Sequence, residues 1–173
     1  KGGYDFLIQG MSGLMSVTGR PDGEPGAGPL KVGIPLCDIS TGLYASISVL
    51  AALNHRNRTG EGQRIDCALL DTQVALMANQ ASNYLNGGMI PGRMGNQHPN
   101  TVPYQDFSCC DGDVLVALGN DRQFRDFCAL LDRGDLTSDP RYSSNAGRIA
   151  HRTELIGALQ DSIGGWTSAE LIA

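Results

Sequence analysis

The sequence lacks the features that mark several large classes of protein. Its 173 residues include 18 acidic and 13 basic side chains, so the formal net charge is -5. A protein that binds nucleic acid or an anionic lipid surface needs a basic patch, which this balance does not supply. No uninterrupted apolar run approaches the ~20 residues of a membrane span. We therefore expect neither nucleic acid nor a membrane as a partner.

The cysteines form neither CxxC pairs nor groups with histidine. An odd number of cysteines in a chain with an ordinary hydrophobic content is typical of reduced thiols, which predicts no metal site and a cytoplasmic location. No serine lies in a nucleophile-elbow pattern, and no glycine-rich strand-to-helix phosphate motif occurs. The cysteines are Cys37, Cys67, Cys109, Cys110 and Cys128.

Hydrophobic periodicity in the first half predicts helix, loop, helix, strand and helix. The central helix carries apolar residues three and four positions apart, and Asp38, Ser40 and Thr41 are its candidate N-terminal caps. Gly60 and Gly62 are predicted to end it. This order of elements indicates α/β organisation. The predicted elements are a helix at Tyr4–Val17, a loop at Gly19–Pro29, the central helix from about Ile39 to Arg58, a strand at Gln63–Leu69 and a helix at Leu70–Leu85.

A segment rich in glycine and proline, residues 86–103, separates the two halves, and we place a domain boundary near its start. The predicted domains are 1–86 and 87–173. The second contains a hairpin around Asp111-Gly112 and helices at 122–131 and 148–163, which is an α+β pattern. A helix-start sequence follows, with Thr167 and Glu170 placed as a capping box. Because the chain stops at Ala173, we expect the second domain to be incomplete at its C-terminus.

Two residues are candidates for chemistry on physical grounds. Asp38 lies where an apolar stretch meets a helix start, and an ionised carboxylate can act as a nucleophile without a partner base. The alternative is that Asp38 only caps the helix. His98 is a candidate general base, and the alternative is that it is an ordinary loop residue.

Three stretches of the sequence resemble the family III CoA-transferases. The main one runs Gly-Ile-Pro-Leu-Cys-Asp-Ile-Ser-Thr-Gly-Leu-Tyr over residues 33–44 and continues to Arg-Thr-Gly-Glu-Gly-Gln-Arg-Ile-Asp at 58–66. Upstream, residues 3–9 resemble the helix that precedes the active site in this family. Downstream, residues 95–99 with Pro103-Tyr104 resemble its small-domain loop. The resemblance spans the whole chain in order.

The resemblance implies an acyl-CoA:carboxylate CoA-transferase in which Asp38 forms an aspartyl-CoA thioester. It also implies that backbone N–H groups of Gly95, Asn96 and Gln97 stabilise oxyanions, beside His98. The fold implied is part of a Rossmann-like large domain followed by a smaller α+β domain, in an interlocked homodimer. Acyl-CoA and a carboxylic acid acceptor are the expected partners, and no permanently bound cofactor is expected.

Two alternatives remain. The same superfamily contains α-methylacyl-CoA racemases, in which a histidine precedes the aspartate where this chain has Tyr4 before Asp5. A phenol with a pKa near 10 is a poor base at neutral pH, so Tyr4 favours the transferase. Family members are considerably longer than this chain, so the other alternative is a truncated, non-catalytic module that assembles with a partner.

Overall fold

A computed structural model describes residues 2–172 of the chain. The chain forms two compact units, of which the first ends at Gly95 and the second begins at Asn96. This division lies inside the segment rich in glycine and proline. Taken together, the two units combine helices with a small antiparallel sheet.

The described residues of the first unit form five helices. Two stretches that the sequence predicts as single helices are each broken into two, because one residue at each break adopts a left-handed conformation that an α-helix cannot continue. These residues are Gly13, with φ 87°, and Ala78, with φ 42°. The helices are α1 (Asp5–Met11), α2 (Leu14–Val17), α3 (Leu36–Thr59), α4 (Leu69–Leu76) and α5 (Ala78–Gly87).

The long helix α3 ends where the sequence predicts and begins earlier. Gly60 follows it with φ 80° and donates its N–H to the carbonyl of Arg56 at 2.8 Å, which confirms the predicted stop. The predicted caps Asp38, Ser40 and Thr41 are wrong, since Pro35 occupies the N-cap position and all three lie inside the helix. The hydroxyls of Ser40 and Thr41 instead donate back to carbonyls of the first turn.

The predicted strand at Gln63–Leu69 is not formed. Its alternation is real, since Ile65 and Cys67 are half-buried while Arg64 and Asp66 are exposed and lie 3.7 Å apart as an ion pair. A strand also needs hydrogen bonds from a neighbour. Among the described residues of the first unit the only bridge joins Arg20 to Ala27, far from this segment. The Rossmann-like arrangement therefore stays a prediction.

The second unit contains the sheet. Strands β1 (Tyr104–Cys109) and β2 (Gly112–Ala117) pair antiparallel with Cys109 opposite Gly112, so the predicted hairpin is confirmed with its turn at Cys110 and Asp111. The predicted helix at 148–163 is broken at His151. The helices are α6 (Asp121–Leu130), α7 (Gly134–Ser138), α8 (Asn145–Ala150), α9 (Arg152–Ile163) and α10 (Ser168–Ile172), with a 3-10 turn at Pro140–Tyr142.

An apolar core holds the second unit together. One face of α9 supplies three fully buried side chains spaced four residues apart, which is the periodicity that the sequence shows. The hairpin and α6 cover that face, and Trp166 packs against its edge. The buried members are Val102, Phe107, Val114, Val116, Phe124, Cys128, Leu131, Leu136, Tyr142, Leu155, Leu159 and Ile163.

A buried arginine crosses the edge of this core. The guanidinium of Arg148 donates to the carbonyls of Val102 at 2.8 Å and Tyr142 at 3.0 Å, and to the carboxylate of Asp121 at 2.7 Å. It also lies over the ring of Phe124, 4.5 Å from the centroid. Because Arg148 is only 1% exposed, the two carbonyls depend on its guanidinium for these hydrogen bonds in the folded chain.

Replacing Arg148 with alanine is expected to lower the free energy of unfolding of the second unit by about 3 kcal/mol, since two buried carbonyls lose their donor. The single tryptophan, Trp166, reports on this unit, so fluorescence during urea titration is the measurement. Arg141→Ala is the matched control. Arg141 pairs with Asp139 and Glu154 on the surface, and its loss is expected to cost less than about 1 kcal/mol. Equal effects of the two variants would contradict the role of Arg148.

The apolar stripe of α3 is exposed. Its side chains are 38–66% accessible, so the described chain leaves a large part of the stripe uncovered. By length and composition alone α3 could cross a membrane, with a mean hydropathy of 1.6 over 18 residues, but core helices of soluble proteins meet the same criterion. Such a face requires a covering surface. The stripe consists of Ile39, Leu43, Tyr44, Ile47, Leu50 and Leu53.

The chain by itself is expected to self-associate through this stripe, because exposed apolar patches of this kind find a partner. Light scattering should give at least twice the monomer mass of 18.3 kDa. The double variant Ile47→Glu/Leu50→Glu should shift the population toward monomer, whereas Leu115→Glu, at an exposed position on the hairpin, should not. A monodisperse monomer of the unmodified chain would contradict the prediction.

Candidate functional site

Asp38 lies in the first turn of α3 and is exposed. The positive end of the helix dipole stabilises a carboxylate at this position. Among residues 2–172, no hydrogen bond or ion pair is made to its side chain. The structure therefore presents a carboxylate that is accessible to a substrate and is not occupied by another group of the described chain.

The first turn of α3 is capped by a residue from α1. The backbone N–H of Cys37 donates to Asp5 Oδ1 at 2.8 Å, across 32 positions of sequence. Gln9, one turn further along α1, donates from Nε2 to Asp5 Oδ2 at 2.7 Å. An aspartate that accepts a helix-terminal N–H performs the task of an N-cap. This tertiary cap is the physical reason that α3 begins before the capping residues that the sequence predicts.

Gln9 also holds the segment that leads into α3. Its Oε1 accepts the N–H of Val32 at 2.8 Å, and its Nε2 lies 3.4 Å from the carbonyl oxygen of Ile34. The side chain is completely buried. One glutamine therefore connects α1, the approach segment and, through Asp5, the first turn of the helix that carries Asp38.

Cys37, next to Asp38, is a protonated thiol. It is completely buried, and its Sγ donates to Gln73 Oε1 at 3.3 Å. Burial, followed by the negative charge of Asp5, raises the pKa of Cys37 to about 11. The thiolate is the nucleophilic form of cysteine, so Cys37 cannot compete with Asp38 near neutral pH.

The two carboxylates near the start of α3 lie in different surroundings. Partial desolvation would raise the pKa of Asp5, but the hydrogen bonds from Gln9 and from the backbone of Cys37 outweigh it, so that pKa lies below its usual value. Asp5 is thus an ionised carboxylate whose oxygens are already occupied, while Asp38 is free. No group of three or more metal-binding side chains occurs in the part of the chain that the structure describes.

Tyr4 and Gly95 belong to the same unit as Asp38. Tyr4 is 77% exposed and immediately precedes Asp5, which bonds to the residue before Asp38. Gly95 has φ 61°, a conformation that favours glycine, and donates its N–H to the carbonyl of Gly19 at 3.0 Å. An oxyanion at Gly95 would therefore have to replace an existing acceptor.

Asn96, Gln97 and His98 begin the second unit. His98 is half-buried, and its Nδ1 accepts the N–H of Asn100 at 3.1 Å. Its backbone N–H donates to the carbonyl of Tyr104, whose ring centroid lies 5.0 Å from that of the imidazole. Arg152 donates to the carbonyl of His98 at 2.8 Å. These contacts tie His98 into the loop through its backbone and through one ring nitrogen.

Sequence reasoning missed Asp5, Gln9 and Gln73. Asp5 and Gln9 are four residues apart, the spacing that places two side chains on one face of a helix, and this was the available signal. No sequence signal pointed to Gln73, because its partner Cys37 lies on another helix, 36 positions away in the sequence.

Comparison with known proteins places the whole chain in one family. The model of CoA-transferase family III matches residues 1–173. The chain is 46% identical over 170 residues to the succinate–glutarate CoA-transferase of Agrobacterium fabrum, covering 98% of this chain and 42% of that protein. It is 39% identical to human succinyl-CoA:glutarate CoA-transferase over 93% of this chain and 36% of that protein. The acetyl-CoA:oxalate CoA-transferase of Acetobacter aceti is 34% identical over 92% of this chain and 40% of that protein.

Solved structures agree with this assignment. A CaiB/BaiF family protein from Brucella suis superposes with a TM-score of 0.74 at 46% identity, covering 99% of this chain and 44% of that one. A protein from Mycobacterium tuberculosis superposes with a TM-score of 0.80 at 26% identity, covering 99% of this chain and 44% of that one. The chain spans about two fifths of the length of these curated relatives and structures. On this evidence the chain belongs to CoA-transferase family III.

Proposed function

We propose that this chain is the nucleophile-bearing part of a longer acyl-CoA:carboxylate CoA-transferase and that Asp38 is the nucleophile. The observation that carries the proposal is the contrast at the start of α3. The carboxylate of Asp38 is exposed and unoccupied, the Cys37 thiol is protonated, and the oxygens of Asp5 are taken. Asp38 is therefore the group at this helix start that is free to react.

The proposed reaction needs neither an oxidant nor a net proton transfer. The Asp38 carboxylate attacks the thioester carbonyl of acyl-CoA, the C–S bond breaks, and CoA leaves as a thiolate while a mixed anhydride forms. The thiolate then attacks the aspartyl carbonyl of the anhydride and releases the acyl group as a carboxylate. The acceptor carboxylate attacks the resulting aspartyl-CoA thioester, the C–S bond breaks, and CoA leaves again as a thiolate while a second mixed anhydride forms. The thiolate then attacks the acceptor's carbonyl of this anhydride, which yields the acceptor's CoA thioester and releases the Asp38 carboxylate.

The acceptor class that we propose is a short dicarboxylic acid. The relatives above are named for succinate, glutarate and oxalate, which share two carboxylates on a short chain. Backbone N–H groups of Asn96 and Gln97 are proposed as oxyanion donors, with Gly95 permitting the turn. For the whole protein we also propose a cytoplasmic location and an interlocked homodimer.

Racemisation is the competing activity. It requires a base to remove the proton from the α-carbon, and the family resemblance puts a histidine at the position of Tyr4 in the racemases. The exposed phenol of Tyr4 is a poor base near neutral pH, which favours the transferase.

In the full-length enzyme, Asp38→Asn is expected to lower the rate of CoA transfer at least about a thousandfold, because the amide keeps the shape of the side chain and loses the nucleophile. Incubating the unmodified enzyme with acyl-CoA alone should add the mass of CoA less one water to the peptide that contains Asp38. Mass spectrometry after proteolysis measures this adduct.

Asp126→Asn, at an exposed aspartate on α6, is the matched control and should leave both transfer and adduct unchanged. Transfer by Asp38→Asn within tenfold of the unmodified enzyme would refute the assignment, as would an adduct on a different residue.

The racemase alternative makes a separate prediction. If the protein is a transferase, it should not exchange the α-proton of a 2-methylacyl-CoA for deuterium in heavy water, because Tyr4 stands where the racemases have a histidine base. NMR of the recovered thioester measures the exchange. Exchange that depends on Asp38 would make racemisation the better assignment, and exchange in the Asp38→Asn variant would point to buffer catalysis.

A further inference from the structure

The interior of the first unit is mostly polar. Outside Ile8 and Cys37, the buried side chains among its described residues carry amides or hydroxyls. Burying a polar side chain costs free energy unless the side chain is hydrogen-bonded. Such residues therefore fix one specific geometry of the first unit and add less to its overall stability than apolar residues would. The buried polar residues are Gln9, Ser40, Thr72 and Gln73. Gln9 and Gln73 bond to Asp5 and Cys37, which meet at the first turn of α3.

Asp5 holds the peptide that carries the nucleophile. Its Oδ1 accepts the N–H of Cys37 at 2.8 Å. The N–H groups of the first helical turn have no partner within the helix, so a nearby carboxylate can accept them. Asp5, from α1, satisfies the Cys37 donor without the side chain of Asp38.

We propose that Asp5 is a positioning residue for the transferase reaction: by accepting the Cys37 N–H at the start of α3, it fixes that turn and leaves the Asp38 carboxylate free to attack the thioester. This inference rests on the proposed function. Asp5 contacts neither substrate nor reacting atoms in this scheme, and it acts only through Asp38.

The charge cycle of Asp38 explains why a separate cap is useful. Asp38 is anionic before attack and neutral as an anhydride or thioester. Donors bound to its own carboxylate would stabilise the ground state and lose their acceptor on acylation, which raises the barrier. Asp5 keeps its charge throughout, so its hydrogen bonds to the turn do not have to reorganise. Removing Asp5 should therefore reduce kcat more than it alters the binding of acyl-CoA.

Gln9 fixes Asp5 in turn. It donates to Asp5 Oδ2 while its own oxygen accepts from Val32, so the rotamer of Asp5 is set by a completely buried neighbour. Gln9→Ala leaves the carboxylate in place and removes this support, and its effect should be smaller than that of Asp5→Ala.

The test compares Asp5→Ala, Asp5→Asn and Gln9→Ala in the full-length enzyme, with Asp126→Asn as the control. Asp5→Ala is expected to lower kcat about a hundredfold with KM for acyl-CoA changed less than about threefold, since misplacing a reacting group costs about this much. Asp5→Asn retains an oxygen that can accept the Cys37 N–H and should recover part of kcat. Deuterium uptake by the peptide Leu36–Ser40 should accelerate in Asp5→Ala and less in Asp5→Asn.

The outcomes separate this inference from the proposed function. If Asp38→Asn is inactive while Asp5→Ala keeps kcat within threefold, Asp5 is not a positioning residue and the transferase proposal stands. If Asp38→Asn remains active, the transferase proposal fails whatever Asp5 does. If Asp5→Ala does not fold, Asp5→Asn decides the question. A normal kcat in that variant together with faster exchange at Leu36–Ser40, or an equal loss in kcat and in affinity, would assign Asp5 a structural role only and overturn the inference.

Discussion

The hydrogen bond from the Cys37 N–H to Asp5 is the contact on which the candidate site depends. It joins residues of α1 and α3 that are 32 positions apart in the sequence, and it determines where α3 begins. Because α3 begins at Leu36, Asp38 lies inside the first turn and its carboxylate does not cap the helix. The motif that resembles the family contains Asp38, but Asp5, outside the central part of that motif, sets the surroundings of Asp38.

The two units are stabilised by different physical means. The second has a conventional apolar core, at whose edge Arg148 donates to the carbonyls of Val102, which precedes the hairpin, and of Tyr142 in the 3-10 turn. The first buries amides and hydroxyls around one helix end and leaves the apolar stripe of α3 bare. Apolar packing tolerates small shifts, whereas a polar network specifies angles and distances. The position of Asp38 is therefore set by the polar hydrogen bonds of the first unit and not by an apolar core.

Local patterns predicted the parts of the fold that depend on nearby residues. The apolar stripe of α9, the stop at Gly60 and the reciprocal bonds between Thr167 and Glu170 all occur as the sequence indicates. The predictions of a strand at 63–69 and of the start of α3 were wrong, because each of these features depends on a partner that is distant in the sequence. A strand needs a neighbour and a tertiary cap needs another helix, and neither is visible in a window of a few residues. Asp38 itself was identified through the family resemblance, since a carboxylate at a helix start is by itself ambiguous.

The loop between α2 and α3 is separated from the candidate site by two sets of hydrogen bonds. Its base is closed, since the N–H of Leu30 donates to the carbonyl of Thr18 at 3.0 Å, and Arg20 bridges to Ala27. Beyond that closure Gln9 fixes the chain again at Val32. Inside the loop, Asp22 pairs with Arg93, so a change of length between Pro21 and Gly26 would disturb that ion pair at a small entropic cost of loop closure. The bond between Gln9 and Val32 lies beyond the loop, so the first turn of α3, with Asp38, is expected to stay in place.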